Sequence, residues 1–235
     1  MQERREVNET GVAQFFGKVY GMMGLGVIVT AIVTFMLGYV FRDSYFALLA
    51  ANPIIKFIMT FLPFIFLFAG MGRKAIQNPG RAMLMFLGLA ASEGTMLASV
   101  MYYFNGATVV SALVVTAIVF GTMAAVGVFG KKDLSRAGGI ATMLLFGALL
   151  MTFVNFFIGS AGMAMLLNYV IVGVFIVLVA YDSQRLRHFY AYAAASGEVA
   201  INSLAIQGAV MLYLDFLNLF ITILQIFGVG GSSDN

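Results

Sequence analysis

Two carboxylates in this chain stand where carboxylates are costly. Asp182 lies in Leu178-Val179-Ala180-Tyr181-Asp182-Ser183-Gln184, and Asp215 in Leu212-Tyr213-Leu214-Asp215-Phe216-Leu217-Asn218-Leu219-Phe220. Both runs belong to apolar stretches of membrane-spanning length, where an ionisable group marks a functional site by default. Two carboxyls within hydrogen-bonding reach and shielded from water share a proton and titrate as a unit. Such a pair can respond to pH, bind a hard cation such as Ca2+ through oxygen, or pass protons. Its plainer use is a shared-proton bond that ties two helices together.

Glu93, in Ala91-Ser92-Glu93-Gly94-Thr95, is a third acid inside an apolar run. A protonated, buried carboxyl and the wall of a cation path fit it equally. Arg73 ends an earlier apolar run, in Phe68-Ala69-Gly70-Met71-Gly72-Arg73-Lys74. It is placed either to snorkel to lipid phosphates or to reach a carboxylate as a latch, a salt bridge that low pH or a competing cation would release. Asn155 and Asn218 read as inward polar groups that bond between helices. His188, the one histidine, reads as a solvated loop residue rather than a pH sensor.

The elements that must hold these groups are helices. The chain is 62% hydrophobic and 10% charged, against about a quarter charged in soluble domains. Seven apolar segments recur, at 15–41, 54–70, 82–104, 107–129, 138–158, 163–184 and 201–227. They are long, continuous and rich in Leu, Ala, Met and Phe, unlike the short alternating strands of a barrel. The expectation is an all-α polytopic membrane protein with one seven-helix domain over 15–227. Residues 1–14 form a polar tail without the features of a signal peptide, and 228–235 a flexible one. Asp182 falls near one end of the sixth span and Asp215 early in the seventh, so antiparallel packing brings them to one half of the bilayer.

Lys and Arg in the connections set the orientation. With the N-terminus cytosolic, Arg4, Arg5, Lys18, Arg73, Lys74, Arg81, Lys131, Lys132, Arg136, Arg185 and Arg187 all lie inside, and only Arg42 and Lys56 outside. Seven spans then put the C-terminus outside. Gly17 and Gly21 have the spacing that lets helices approach closely, and are read as packing inside one bundle. Pro63 interrupts the second span and is expected to kink it.

Several function classes drop out. Without cysteine there is no disulfide or thiolate chemistry, and a net charge of +3 spread among loops offers no arm for nucleic acid. No Ser/His/Asp set, HExxH or Walker loop occurs, so the chain is read as no enzyme, with no cofactor. Paired aspartates could serve an intramembrane protease, but the neighbours of these two are Tyr181, Ser183, Leu214 and Phe216 rather than glycine.

Taken together the motifs resemble the Bax inhibitor-1 family, the transmembrane Bax-inhibitor-motif proteins, in its bacterial branch. The resemblance runs from Lys18-Val19-Tyr20 and the Gly-rich first span, through Ser92-Glu93-Gly94-Thr95, Lys131-Lys132-Asp133-Leu134-Ser135 and Tyr181-Asp182-Ser183-Gln184, to Leu212–Phe220. It implies a bundle with its last helix central, in the bacterial inner membrane, acting as a pH-sensitive calcium leak. By motif, Asp182 and Asp215 would be the pH sensor and Ca2+ ligands, with Arg73 as the latch. Ser183 stands where Thr is common. Some relatives are instead modulators of a membrane-bound protease, so the implied partners are the lipid bilayer, Ca2+ and H+, or a protease.

Overall fold

The computed structural model describes residues 9–70 and 77–230. It is helical throughout: α1 (Glu9–Phe35), α2 (Arg42–Ala51), α3 (Pro53–Gly70), α4 (Pro79–Met101), α5 (Gly106–Phe129), α6 (Ser135–Ile158), α7 (Ala161–Ser196) and α8 (Glu198–Gly230). A π-helical turn, Met36–Val40, continues α1. Seven helices are long and apolar enough to cross a membrane, all but α2. Burial rises to 56% of the span in α8, against 6% in α3.

Local chemistry sets the helix ends. Asn78 accepts from Arg81 N at 3.0 Å and Pro79 follows it, the preferred opening of a helix. Asn105 accepts from Thr108 N at 2.8 Å and opens α5 in the same way. Gly159, at φ 71°, closes α6 by donating to Asn155 O at 2.7 Å. Pro53 begins α3, and Pro63 sits inside it while the helix continues to Gly70.

Four expectations change. The link after the first span contains a short helix, α2, which Tyr45 anchors by donating to Thr95 O at 2.7 Å. The stretch 185–200 is helical apart from Gly197, whose φ of 93° is the sole break between α7 and α8; His188 is therefore an exposed helical residue. Asn218 is exposed and donates to Leu214 O of its own helix, while Asn155 caps α6 through Ser160, so neither joins two helices. Gly17 and Gly21 have open space where a Cβ would go and do not serve close packing among the described residues.

Two compact units divide the chain: Met1–Tyr103 with Leu186–Tyr213, and Phe104–Arg185 with Leu214–Asn235. In the first, α1 and α4 run parallel in a fixed register. Thr30 donates to Ala90 O at 2.9 Å and Thr34 to Gly94 O at 3.1 Å, both sixty residues apart. Ala90, Gly94 and Ala98 recur every four residues and let α1 approach; a Cβ on Gly94 would stand 2.7 Å from Val33 Cβ. The second unit is built from α5, α6, most of α7 and the end of α8, and it holds both aspartates.

Candidate functional site

Gly197 is the turn of the α7–α8 hairpin. Asp182 precedes it by fifteen residues and Asp215 follows it by eighteen, about 22 Å and 27 Å along their helices. The two positions are close to level, and their carboxyl groups are hydrogen-bonded to each other. Asp182 is 8% exposed and Asp215 6%. A carboxyl–carboxyl bond needs one proton between the groups, so the pair holds it jointly. Arg185, one turn along α7, is the cation whose charge acts on Asp182.

Apart from the carboxyl of Asp182, no group among the described residues donates to the buried Asp215 Oδ2. Ser203 Oγ and Gln207 Nε2, the other buried side-chain atoms left without a partner among the described residues, also belong to α8. A buried polar atom without a donor is destabilising, and a cation that displaced the shared proton would be ligated by these carboxyl oxygens.

The neighbours of Asp182 are gripped by the α5–α6 hairpin. Gly127 lies on the Ala180 carbonyl oxygen, and a Cβ there would also stand 2.8 Å from Ser183 Cβ. Gly138 lies on the ring of Tyr181, where a Cβ would be 2.5 Å from both Cδ atoms. Gln184 closes the grip with its amide: Oε1 accepts from Leu134 N and Nε2 donates to Lys132 O, each at 2.8 Å. On the α8 side, Phe216 stacks edge-on against Phe120 of α5, centroids 5.5 Å apart. Residues 180, 181, 183 and 184 thus face the hairpin, and Asp182 turns to Asp215. Sequence reading did not find Gly127, Gly138 or Gln184, because a close approach of backbones leaves no signature in the residue types of one chain.

Glu93 lies elsewhere, in the first unit. It is half-buried in α4 and close enough to Tyr213 for its charge to act on the phenol. The pair in the second unit is formed without it. Arg73 and Lys74 lie outside the described residues. Among those residues no three His, Cys, Asp or Glu side chains gather as a metal site. A Ca2+ ion, which takes six to eight oxygens, would draw two to four from this pair and the rest from carbonyls and water.

Comparison with known proteins agrees with this architecture. The profile of the family described as "Inhibitor of apoptosis-promoting Bax1" matches residues 12–232. An uncharacterized membrane protein of Streptococcus pyogenes is 34% identical over 221 residues, 94% of this chain and 95% of its own. An uncharacterized protein of Lactococcus lactis is 31% identical over 223 residues, covering 95% and 94%. The inner membrane protein YbhL of Escherichia coli is 32% identical over 220 residues, covering 93% and 92%.

Proposed function

The chain belongs to the Bax inhibitor-1 family, and from that premise we propose that it is a pH-sensitive calcium leak of the bacterial inner membrane. The observation that carries the reading is the Asp182–Asp215 carboxyl pair, both members buried. A proton held between two carboxyls is exchanged when pH changes or when a cation competes for the same oxygens. Either event alters the charge of the pair in a place that excludes water, where each charge acts strongly. Arg73 serves as the latch. Its salt bridge needs an ionised carboxylate, so it holds at high pH and is lost as pH falls.

The test is Ca2+ flux into proteoliposomes containing the purified chain, stepped from pH 8 to pH 6. Flux is expected to rise as pH falls, and Asp182→Asn and Asp215→Asn to remove the pH dependence while the protein stays folded. A wild-type pH profile in both variants reduces the pair to a helix tie. No flux above empty liposomes at any pH favours a non-conducting modulator, and co-purification with a membrane protease then becomes the discriminating assay.

A further inference from the structure

Residues 130–134 join α5 to α6 in five positions, too few to carry their side chains far from the membrane boundary where both spans end. Lys131 and Lys132 lie in this loop, Arg136 follows in the first turn of α6, and all three are exposed. The loop is fixed. Gln184 holds it through both ends of its amide, bonded to Lys132 O and Leu134 N. The acid of the loop, Asp133, accepts from Ser135 N at 2.8 Å and so is drawn onto the start of α6. On the two spans that this loop joins, Phe129 is 79% and Met143 75% exposed.

We propose that this corner of the second unit is a docking site for an anionic phospholipid, with Lys131, Lys132 and Arg136 on the headgroup phosphate and Phe129 and Met143 against an acyl chain. The inference does not depend on conduction. Cations held at the interface attract anionic headgroups, and an arginine presents phosphate with paired donors. A loop already ordered by Gln184 loses little conformational freedom on binding, which distinguishes it from a mobile basic tail. Phe129 and Met143, exposed on the two spans that meet at this loop, favour a lipid over a free phosphate, because only a lipid brings an acyl chain to cover them.

The purified full-length chain in neutral detergent would be titrated with phosphatidylglycerol, phosphatidylcholine or inorganic phosphate, and binding read by native mass spectrometry. Saturable binding of phosphatidylglycerol, absent for the other two and weakened by salt, is the expected result. The variant K131Q/K132Q/R136Q should bind it on the order of a hundredfold more weakly at low ionic strength. K56Q, which removes an exposed cation from the first turn of α3, should bind like wild type. Q184L keeps every charge and should lose affinity by several-fold through the freed loop alone. Three results would each overturn the proposal: undiminished binding by the triple variant, equal binding of phosphatidylcholine, or displacement of the lipid by inorganic phosphate at equal concentration.

Discussion

The phenol oxygen of Tyr213 lies 2.6 Å from Thr30 Oγ1 in the interior of the first unit. Thr30 also lies 2.9 Å from Ala90 O and 3.0 Å from Gly26 O. Its single proton goes to one of these carbonyls, so Tyr213 is the donor in the oxygen–oxygen contact. One hydroxyl thereby joins α1, α4 and α8, while the Tyr213 ring packs edge-on against Phe86 at 5.4 Å.

The two ends of that bond should differ in cost. Tyr213→Phe removes the donor and leaves Thr30 bonded to its carbonyls, a loss of about 1 kcal/mol. Thr30→Val strands the buried phenol and should cost roughly 1–3 kcal/mol. The double variant should recover part of the second loss, since the stranded group is gone. Unfolding of the four proteins in a double-mutant cycle measures this; equal single-variant losses that simply add would show that the contact carries no coupling.

Glycine substitutions separate the grip on Asp182 from ordinary packing. Gly127→Ala drives a methyl group into the Ala180 carbonyl, a backbone atom that cannot swing aside, and should cost roughly 1–3 kcal/mol. Gly138→Ala meets the Tyr181 ring, which can rotate away, and should cost less. Gly121 and Gly139 have open space where a Cβ would go, so alanine there should stabilise by up to about 1 kcal/mol through helix propensity. Thermal unfolding ranks the four. A Gly127→Ala protein as stable as Gly121→Ala would mean that α5 and α7 separate freely and that the grip is not tight.

The α7–α8 turn rests on one backbone conformation. Gly197 adopts φ 93°, which a Cβ disfavours, and Gly197→Ala should cost about 1–2 kcal/mol. Gly159→Ala, at φ 71° in the C-cap of α6, should cost a similar amount. Ala195→Gly, one turn position away in regular helix, costs only the usual propensity loss. If Gly197→Ala proves harmless, α7 and α8 are able to turn by another route.

The residues that were legible in the sequence share a cause. Seven apolar runs stand out because lipid demands a whole span of apolar side chains, and Asp182 and Asp215 stand out because lipid forbids them. Their juxtaposition followed from two consecutive antiparallel helices. The extension of α7 to Ser196 was hidden because hydropathy stops at Gln184, whereas helix propensity continues through an Ala-rich segment until Gly197 breaks it. Helix α2 was hidden for the opposite reason: Arg42 and Asp43 at its start read as a loop, though an interfacial helix needs no apolar span. Gly127 and Gly138 act through atoms of another helix, and Gln184 through the backbone of the 130–134 loop. Their role is fixed by tertiary approach, which residue type does not encode.

Arg73 gives the sharpest test of gating because its charge does not change with pH, so any pH dependence of a latch must come from its carboxylate partner. On the proposed gating, an ionised partner would hold the guanidinium at pH 8, and protonation of that partner as pH falls would release it and open the path. Arg73→Ala should therefore leak at pH 8 as fast as wild type does at pH 6, with little further change on acidification. Arg73→Lys keeps the charge but not the paired donors and should fall between the two. Adding Asp182→Asn to Arg73→Ala should do nothing more at pH 8 if the two residues form one latch, the signature of coupled sites. Lys74→Ala should behave as wild type. Flux measured on these variants in proteoliposomes assigns the latch: a closed Arg73→Ala beside an open Lys74→Ala would move it by one residue, and two closed variants would leave the aspartate pair to gate alone.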